Sequence, residues 1–263
     1  MRVAIVGAGI AGLACADFLK QRGHFVRLFD KGRGAGGRMV TRRIETPLGE
    51  VSFDHGAQYF TVRDAEFSRQ VRRWQQAGVV APWPLAGPES WIGVPAMNSV
   101  VKAMAAGHDV SFGVRIAGAE RIDAGWVLKL AAGSEGPFDA LVFAVPAEQA
   151  AALLSLHDFA MASVALRARS QPCWTGMYAF ADRLPVSDGP VRNQGIVNWA
   201  VRNSAKPGRS ELETWVVQAQ PDWSRHCLEE SAGKIASLLL DRLGSVLAIR
   251  HVVGDRRSGL VES

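Results

Sequence analysis

Long apolar runs are absent from this sequence, although hydrophobic residues make up 48% of its 263 positions. Proline or a charged residue interrupts every candidate stretch before it reaches the roughly 18 residues that a transmembrane helix needs. Glycine and proline, at 27 and 12 residues, stay well below the shares typical of collagen-like or disordered chains. The composition therefore predicts a globular protein that does not span a membrane and has no membrane partner.

Cysteine is scarce, and neither sign of charge is in large excess. Cys15, Cys173 and Cys227 are far apart in the chain and odd in number, which favours reduced thiols in a cytoplasmic protein and gives no zinc-ligand spacing. Lys and Arg number 30 against 25 Asp and Glu, and no recognised nucleic-acid module accompanies them. We therefore expect no disulfide, no metal site and no nucleic-acid partner.

The first 30 residues contain the most informative pattern. A short apolar strand, Val3–Val6, runs into Gly7-Ala8-Gly9-Ile10-Ala11-Gly12, and a mostly apolar helix follows as far as Gly23. A second strand, Phe25–Phe29, ends at Asp30, 18 residues beyond the last glycine of the turn. This order of strand, glycine turn, helix, strand and acid is typical of a dinucleotide-binding unit.

Each part of this pattern has a physical task. Gly7 allows the tight turn, Gly9 lets the backbone approach a pyrophosphate, and Gly12 permits close packing of the helix on the strand. The N-terminus of the helix offers N–H groups and the positive end of its dipole to the phosphates. Asp30 stands where a carboxylate accepts hydrogen bonds from ribose hydroxyls.

A second glycine-rich loop follows Asp30 immediately. The segment Lys31-Gly32-Arg33-Gly34-Ala35-Gly36-Gly37-Arg38-Met39 stands where a simple nicotinamide-binding unit would continue into another helix. Backbone N–H groups and Arg38 could follow a second stretch of an extended cofactor, with charge-assisted bonds to phosphate. A flexible surface loop is the alternative interpretation.

Turn residues and apolar periodicity predict the later elements. These are a helix capped by Asp64, a helix opened by Pro95, a hairpin over 114–130, a buried strand over 138–146, strands near 174–180, 194–201 and 212–219, and a helix from about 225 to 242. Gly78–Pro88 is predicted to be a connection. The strands after residue 170 are rich in Trp and Val with polar alternation, which favours an antiparallel sheet.

Side chains arranged for catalysis are few. No Ser-His-Asp order and no pair of catalytic carboxylates stands out, so we expect the reactivity to belong to a cofactor. His55 follows Asp54 in a tight loop and is more typical of a structural residue than of a general base. Arg63 could meet a substrate phosphate or pair with Asp64.

These motifs resemble the flavin-containing amine oxidase superfamily and, within it, the bacterial renalase family. The resemblance rests on the Gly7–Gly12 turn, on Gly36-Gly37-Arg38-Met39, and on five further segments: Phe53–Thr61, Trp91–Asn98, Pro172–Trp174, Lys206–Arg209 and Glu213–Ala219. It extends from residue 1 to about residue 240.

The resemblance implies an α/β fold, in which a Rossmann-like FAD-binding domain is interleaved with an α+β substrate domain built on an antiparallel sheet. The FAD-binding domain would comprise residues 1–63 and 93–148, and the substrate domain residues 64–92 and 149–243. The family closes its FAD domain with a strand, a Gly-Asp pair and a long helix. Residues 244–263 therefore read as an altered or truncated tail, and we expect weak FAD binding or none.

The resemblance also implies which residues form the site. The residues implied to bind FAD are Gly7, Gly9, Ala11, Gly12, Asp30, Lys31, Gly37, Arg38, His55, Gly56 and Val114. The residues expected to line the substrate pocket are Ala57, Gln58, Tyr59, Phe60, Thr61, Trp91, Ile92, Gly93 and Asn198. Core packing is the alternative for Tyr59 and Trp91. Asn198 and Trp199 are weaker candidates, because they are neighbours on a strand and one of them must face away. No side chain is assigned as catalytic, because the flavin would carry the chemistry.

The activity implied is oxidation of isomeric dihydronicotinamide dinucleotides, reduced at C2 or C6, to NAD(P)+. FAD would accept the electrons and O2 would reoxidise it to give H2O2, in a monomer or a homodimer. Two alternatives stay open. One is a flavin oxidase of small amines, and the other is a non-catalytic nucleotide-binding remnant.

Overall fold

A computed structural model describes residues 1–248 and 259–261 of the chain. The described residues form two compact units, one made of Met1–Met39 and Val100–Ser170, the other of Val40–Ser99 and the described residues from Gln171 onward. A parallel sheet with a Rossmann-like order and several antiparallel sheets are present, which confirms the predicted α/β fold class. Within the described residues, no helix is long and apolar enough to cross a membrane.

The contact-based boundaries differ from those implied by the resemblance. Residues 40–63 and 93–99 lie in the second unit, and residues 149–170 lie in the first. The division into an FAD-binding and a substrate domain remains a prediction, because it assigns functions to the segments as well as boundaries.

The elements follow one another along the chain in a mixed order. The strands are β1 (Arg2–Val6), β2 (Phe25–Asp30), β3 (Arg42–Thr46), β4 (Gly49–Phe53), β5 (Phe60–Thr61), β6 (Val80–Pro82), β7 (Ser90–Gly93), β8 (Asp109–Phe112), β9 (Ile116–Ile122), β10 (Gly125–Leu130), β11 (Ser134–Phe138), β12 (Ala140–Phe143), β13 (Thr175–Phe180), β14 (Val191–Gln194), β15 (Val197–Arg202), β16 (Glu213–Ala219) and β17 (Gly259–Val261). The α-helices are α1 (Ile10–Gln21), α2 (Ala65–Gln76), α3 (Ser99–Ala105), α4 (Ala147–Leu154), α5 (Phe159–Arg167), α6 (Pro221–His226) and α7 (Ala232–Val246). Short 3-10 helices span Gly37–Met39, Pro84–Ala86 and Asn203–Ala205.

The parallel sheet of the first unit has the strand order β12–β1–β2–β8. Its strand β1 is buried from Val3 to Val6, as expected of a parallel strand covered on both faces. The antiparallel sheet β11–β10–β9 contributes Leu128 and Phe138 to a core shared with the parallel sheet. There the rings of Phe29 and Phe138 meet edge to face, with centroids 6.1 Å apart. The predicted hairpin is confirmed as β9–β10. The strand predicted over 138–146 is present as β12, but its residues are only partly buried.

The second unit is built on the antiparallel sheet β14–β15–β16–β13–β17, which confirms the predicted antiparallel arrangement. Helix α7 packs Ile235, Leu239 and Leu243 into one core cluster with residues of β13, β15 and β16. The Tyr178 hydroxyl, on β13, donates to the carbonyl oxygen of Ala236 at 2.8 Å. Burial raises the pKa of this hydroxyl, so the bond keeps its donor.

Two smaller sheets complete the second unit. The hairpin β3–β4 packs Val51 and Phe53 against Met177 and Val216 of the large sheet. The strands β5, β7 and β6 form a three-stranded antiparallel sheet. Both sheets lie next to the loop between β4 and β5 in the chain, which carries several predicted site residues.

Helix α2 begins where the sequence predicts. The side chain of Asp64 accepts the N–H of Phe67 at 2.8 Å, which satisfies one of the free donors of the first turn. Val71 and Trp74, three residues apart on this helix, are buried and belong to the core.

The helix predicted to open at Pro95 begins instead at Ser99. The N–H of Met97 donates to the carboxylate of Asp54 at 3.0 Å, so this segment binds the loop between β4 and β5 and is not part of a helix. The prediction was wrong because the competing carboxylate is 43 residues away in the sequence.

The strand predicted over 194–201 is present as β15, which begins at Val197 because the turn from β14, where Asn193 and Gly195 have positive φ, precedes it. One other predicted element is split in the structure. The helix predicted over 225–242 is α6 followed by α7, and the Ser231 side chain caps α7 by accepting the N–H of Lys234.

Candidate functional site

The glycine turn between β1 and α1 has the close packing that the sequence predicts. Gly7 has φ +106°, and a Cβ there would lie 2.5 Å from the carbonyl oxygen of Ala144. A Cβ on Gly12 would lie 1.9 Å from the carbonyl oxygen of Gly7. At Gly9, by contrast, a Cβ would meet no atom within 4 Å. Packing within the protein therefore excludes a side chain at Gly7 and at Gly12. The space beside Gly9 is open and leaves room for a ligand.

Asp30 ties the end of β2 to both glycine-rich loops. One carboxylate oxygen accepts the N–H of Ala8 and the other accepts the N–H of Gly32, each at 2.7 Å. The backbone carbonyl of Asp30 accepts the N–H of Val114 at 2.9 Å, so Val114 lies beside this acid. A carboxylate has about four acceptor positions, so Asp30 can still accept hydrogen bonds from ribose hydroxyls.

The second glycine-rich loop lies against the first. It ends in the 3-10 helix Gly37–Met39, and Gly37 has φ +55°. A Cβ on Gly37 would lie 3.3 Å from the Cα of Gly9. The two loops therefore approach each other at the position where the first one is open, which argues against a detached surface loop.

These residues fit a dinucleotide cofactor such as FAD. Gly9 is the N-cap of α1 and has no side chain to cap the first helical N–H groups, which are then available to phosphate oxygens. Ala11 and Arg38 are exposed. Lys31 is exposed as well, and its Nζ donates to Gln149 at 3.2 Å. The predicted cofactor residues that lie in this unit are Gly7, Gly9, Ala11, Gly12, Asp30, Lys31, Gly37, Arg38 and Val114.

A buried carboxylate lies between two cations in the second unit. Asp54 is fully buried and accepts the hydroxyl of Thr41 at 2.7 Å. Arg209 donates to the Asp54 carboxylate through its terminal nitrogen at 2.5 Å and through Nε at 3.2 Å. The Nζ of Lys206 lies 3.4 Å from the same oxygen. We call Asp54, Lys206 and Arg209 the Asp54 cluster, whose formal charge is one positive.

Burial and charge act in opposite directions on the Asp54 cluster. Burial would raise the pKa of Asp54, but the charges of Lys206 and Arg209 outweigh it and lower that pKa to about 2. Burial lowers the pKa of Lys206 to about 8, and the attraction of Asp54 offsets this only in part. Lys206 is the less compensated cation, because Arg209 holds the shared carboxylate at the shorter distance.

The stability of the fold is expected to decrease as the pH falls through the range in which Asp54 titrates. The pKa of Asp54 is lower in the folded chain, at about 2, than the ordinary value of 3.8. The contribution of Asp54 is therefore complete above pH 3.8 and is lost as the pH approaches about 2. Urea unfolding across this range measures the effect, and Asp54→Asn should show a shallower dependence on pH. An unchanged slope in the variant would rule out this assignment.

The loop after Asp54 is held by the amide of Gln58. Gln58 is buried, and its Nε2 donates to the backbone carbonyl of Asp54 and, at 3.1 Å, to that of Gly56. Its Oε1 accepts the Nζ of Lys206 at 3.0 Å. The Nε2 of Gln218 also donates to the Gly56 carbonyl, at 2.8 Å. The amide of Gln58 thus positions the loop, while its predicted contact with substrate stays a prediction.

His55 and Gly56 lie in the second unit, apart in the chain from the glycine turn. Burial lowers the pKa of His55, so its imidazole is neutral at neutral pH. Its Nδ1 is buried and has no hydrogen-bond partner among the described residues. A neutral imidazole with one open nitrogen suits a hydrogen bond to a ligand, and the FAD contact of His55 and Gly56 stays a prediction.

Tyr59 belongs to a group of three aromatic rings, which we call the aromatic cluster. Its ring centroid lies 5.3 Å from that of Trp199 and 6.3 Å from that of Trp83. Tyr59 is partly exposed, whereas both indoles are buried. The Arg192 guanidinium lies 4.8 Å from the Trp199 centroid, and the Lys206 Nζ lies 5.5 Å from the Trp83 centroid. Both cations are within cation–π range of the cluster.

The other predicted substrate residues differ in accessibility. Ala57, Phe60, Trp91 and Asn198 are partly exposed, Thr61 is exposed, and Ile92 and Gly93 are buried. Phe60 is paired with Trp91 across β5 and β7. Asn198 lies at a β-bulge next to Trp199. The alternation of side chains between the two faces of the sheet, which was assumed for these neighbours, is therefore interrupted there.

No sequence pattern predicts a role for Trp83, and the pattern around Trp199 predicts only a weak one. Trp83 lies in the segment predicted to be a connection, and the aromatic residue between Pro82 and Pro84 was the only signal available. Of the two alternatives for Arg63, the structure excludes pairing with Asp64, because Arg63 donates to Glu89 at 2.8 Å while Asp64 caps α2. Contact of Arg63 with a substrate phosphate stays a prediction.

Comparison with known proteins supports the nucleotide-binding interpretation of the first residues. Residues 5–74 match the family model described as an NAD(P)-binding Rossmann-like domain. This segment includes the glycine turn, Asp30 and the second glycine-rich loop.

Several solved structures are similar over nearly the whole chain. A protein from Exiguobacterium sp. 255-15 assigned as a protoporphyrinogen oxidase superposes with a TM-score of 0.68 at 9% identity, covering 98% of this chain and 85% of that one. Cyclohexylamine oxidase from Brevibacterium oxydans IH-35A gives a TM-score of 0.67 at 14% identity, covering 94% and 81%. A triple variant of putrescine oxidase gives 0.64 at 14% identity, covering 98% and 87%. The chain thus shares its fold with these oxidases and contains a Rossmann-like dinucleotide-binding domain.

Proposed function

We propose that this chain is an FAD-dependent oxidoreductase of the renalase family, in the flavin-containing amine oxidase superfamily. Its reaction would convert an isomeric dihydronicotinamide dinucleotide, O2 and a proton into NAD(P)+ and H2O2. The observation that carries the cofactor assignment is the contact between the two glycine-rich loops at Gly9 and Gly37, beside Asp30. A single glycine turn can bind the pyrophosphate of any dinucleotide. A second glycine-rich loop beside it adds backbone N–H groups that can bind a longer stretch of the cofactor, as an extended FAD molecule would require.

The residues of the first unit would hold the cofactor. The open N-terminus of α1 and Arg38 would bind phosphates, and Asp30 would accept hydrogen bonds from ribose hydroxyls. Val114, next to Asp30, would provide backbone contacts at the adenine side. When bound, FAD supplies a two-electron acceptor that O2 reoxidises.

The second unit supports a dinucleotide substrate more than an amine. Arg192 and Lys206 lie within cation–π distance of the aromatic cluster, and the Asp54 cluster, to which Lys206 belongs, has a formal charge of one positive. An excess of positive charge attracts a phosphate-bearing ligand and repels an ammonium ion. The partly exposed ring of Tyr59 offers an aromatic surface against which a planar dihydropyridine can pack.

No strong acid or base is needed from the protein for this reaction. The neutral imidazole of His55 and the side chain of Tyr59 can donate or accept single hydrogen bonds that orient the substrate. The carboxylate of Asp54 is fully buried and bonded to two cations, so its role is to fix the loop and not to move a proton.

The test is steady-state turnover with FAD present. Borohydride-reduced NAD+ supplies the isomeric dihydronicotinamides, while authentic NADH, cyclohexylamine and putrescine serve as competing substrates. We expect H2O2 release and equal O2 consumption with the isomers only. Turnover of the amines alone would favour the amine oxidase alternative. Nucleotide-dependent thermal stabilisation without any turnover would favour the non-catalytic remnant.

A further inference from the structure

The aromatic cluster has polar groups that the packing of the protein leaves open. The Nε1 atoms of Trp83 and Trp199 are buried, and within residues 1–248 and 259–261 neither has a hydrogen-bond partner. A buried donor without an acceptor is unusual in native proteins and points to a missing water or ligand. Both donors belong to rings in contact with Tyr59, the partly exposed member of the cluster.

Arg192 is held at the edge of this cluster in a fixed orientation. Its guanidinium lies over the Trp199 ring at 4.8 Å, and one terminal nitrogen donates to the backbone carbonyl of Ala86 at 2.5 Å. The residue is exposed, and no carboxylate of the described chain lies within ion-pair distance of it. A guanidinium has five N–H donors, so most of those on Arg192 remain open.

Arg202, another arginine of the second unit that stacks on an indole, differs from Arg192 in having carboxylate partners. Arg202 also lies over an indole, at 5.3 Å from the Trp215 centroid, but it is buried and donates to Glu213 at 2.9 Å. It also pairs with Asp188. Arg202 is thus a neutralised structural cation, whereas Arg192 is stacked on an indole and pairs with no carboxylate of the described residues.

We infer that Arg192 is the specificity-determining residue of the aromatic cluster, where it binds a phosphate of the dinucleotide substrate. This inference rests on the proposed function for the identity of the substrate. The guanidinium provides charge-assisted, bidentate hydrogen bonds to phosphate, which an ammonium substrate cannot accept. The Trp199 ring contacts both Arg192 and Tyr59. A substrate whose phosphate binds Arg192 can therefore place its dihydropyridine ring near Tyr59.

The kinetic test compares substrates with and without phosphate. The variants are Arg192→Met, Arg192→Lys and, as a matched control, Arg121→Met. Arg121 is likewise exposed and stacked on an indole, at 5.3 Å from the Trp126 centroid, but it lies in the first unit. The substrates are isomeric dihydro-NAD and an N-alkyl dihydronicotinamide reduced in the same way.

We expect Arg192→Met to lower the ratio of kcat/KM for dihydro-NAD to that for the N-alkyl compound by about 10- to 100-fold, the effect of losing a charged hydrogen bond. Arg192→Lys should recover part of the ratio, because the ammonium group keeps the positive charge but cannot make the bidentate hydrogen bonds of a guanidinium. Arg121→Met should keep the wild-type ratio. If the wild-type protein oxidises dihydro-NAD and Arg192→Met shows the same ratio of kcat/KM values as the wild type, the inference is overturned and the proposed function stands.

A binding measurement separates this inference from the proposed function. The probe is NAD+, titrated into 15N-labelled protein saturated with FAD, with the indole N–H signal of Trp199 assigned from Trp199→Phe. We expect this signal to shift on addition of NAD+, and to require at least about tenfold more NAD+ in Arg192→Met. The same result without turnover would refute the proposed function and retain the anion site. No shift in the wild-type protein would overturn the inference.

Discussion

Asp54→Asn is expected to lower the free energy of unfolding by about 3–5 kcal/mol, the range for breaking a buried ion pair from one side. The substitution leaves Lys206 and Arg209 buried without a carboxylate. An amide retains the size of the side chain and can still accept the Thr41 hydroxyl and the Met97 N–H. The loss would therefore report the missing charge and not a cavity. Urea denaturation at pH 7 measures it.

Two variants bracket this prediction. Asp222→Asn removes a carboxylate whose side chain is 83% exposed and pairs with Arg225, so its effect should stay within about 1 kcal/mol. Lys206→Met removes the cation whose charge is the less compensated, and Asp54 keeps Arg209 as its partner. Its effect should therefore be smaller than that of Asp54→Asn. If Asp54→Asn and Asp222→Asn were equally mild, the Asp54 cluster would not support the second unit.

Gly12→Ala is expected to lower the free energy of unfolding by at least about 3 kcal/mol, at the upper end of the range for overpacking. The new methyl group would lie 1.9 Å from the carbonyl oxygen of Gly7, which is backbone and cannot rotate away. Relief requires α1 to move from β1, which would also displace the N-terminus that is to bind phosphate. Both unfolding by urea and binding of FAD should show the damage.

Gly9→Ala is the matched control, because it adds the same methyl group three residues earlier. Gly9 has ordinary extended backbone angles, and its Cβ would meet no protein atom within 4 Å. The unfolding free energy should therefore change by about 1 kcal/mol or less. Binding of FAD should weaken at least about tenfold, because the methyl group occupies the approach to the pyrophosphate. Equal FAD affinity in Gly9→Ala and the wild-type protein would contradict the assigned phosphate position.

The dinucleotide-binding unit could be predicted from the sequence because its determinants are local. Gly7, Gly9, Gly12 and Asp30 lie within one strand–helix–strand unit, and each has a distinct steric or hydrogen-bonding task. The hairpin β9–β10 and the cap of α2 were equally accessible, since neighbouring residues determine both. The second glycine-rich loop was recognised as well, although its contact with Gly9 required the fold.

The Asp54 cluster could not be predicted in the same way. Asp54 meets Lys206 and Arg209 across sequence separations of 152 and 155 residues, and no local pattern relates them. The bond from the amide of Gln58 to Lys206 spans a similar separation, and no local pattern predicts it. Helix α3 begins late for a related reason, since Asp54 takes the N–H of Met97.

The aromatic cluster was predicted in part. Tyr59 was identified as a site residue, but Trp83 lies in a segment without helical or strand periodicity and became visible only through its contact with Tyr59. Arg192 follows no motif, and its stacking on Trp199 depends on the pairing of β14 with β15. Sequence patterns report the elements that a residue belongs to, whereas such clusters depend on which elements meet.

The most direct test of the whole account is the visible spectrum of the purified protein with FAD, recorded under argon before and after borohydride-reduced NAD+ is added. The residues of the first unit that fit the cofactor are intact, so we predict that the altered tail over 244–263 weakens FAD binding without abolishing it. Saturating FAD should then give a flavin band that bleaches on addition of the isomeric dihydronicotinamides and returns when air is admitted. The Gly9→Ala variant should retain less flavin at the same FAD concentration. A protein that takes up no flavin at saturating FAD, or whose bound flavin the isomers leave oxidised, would contradict the proposed FAD-dependent oxidation.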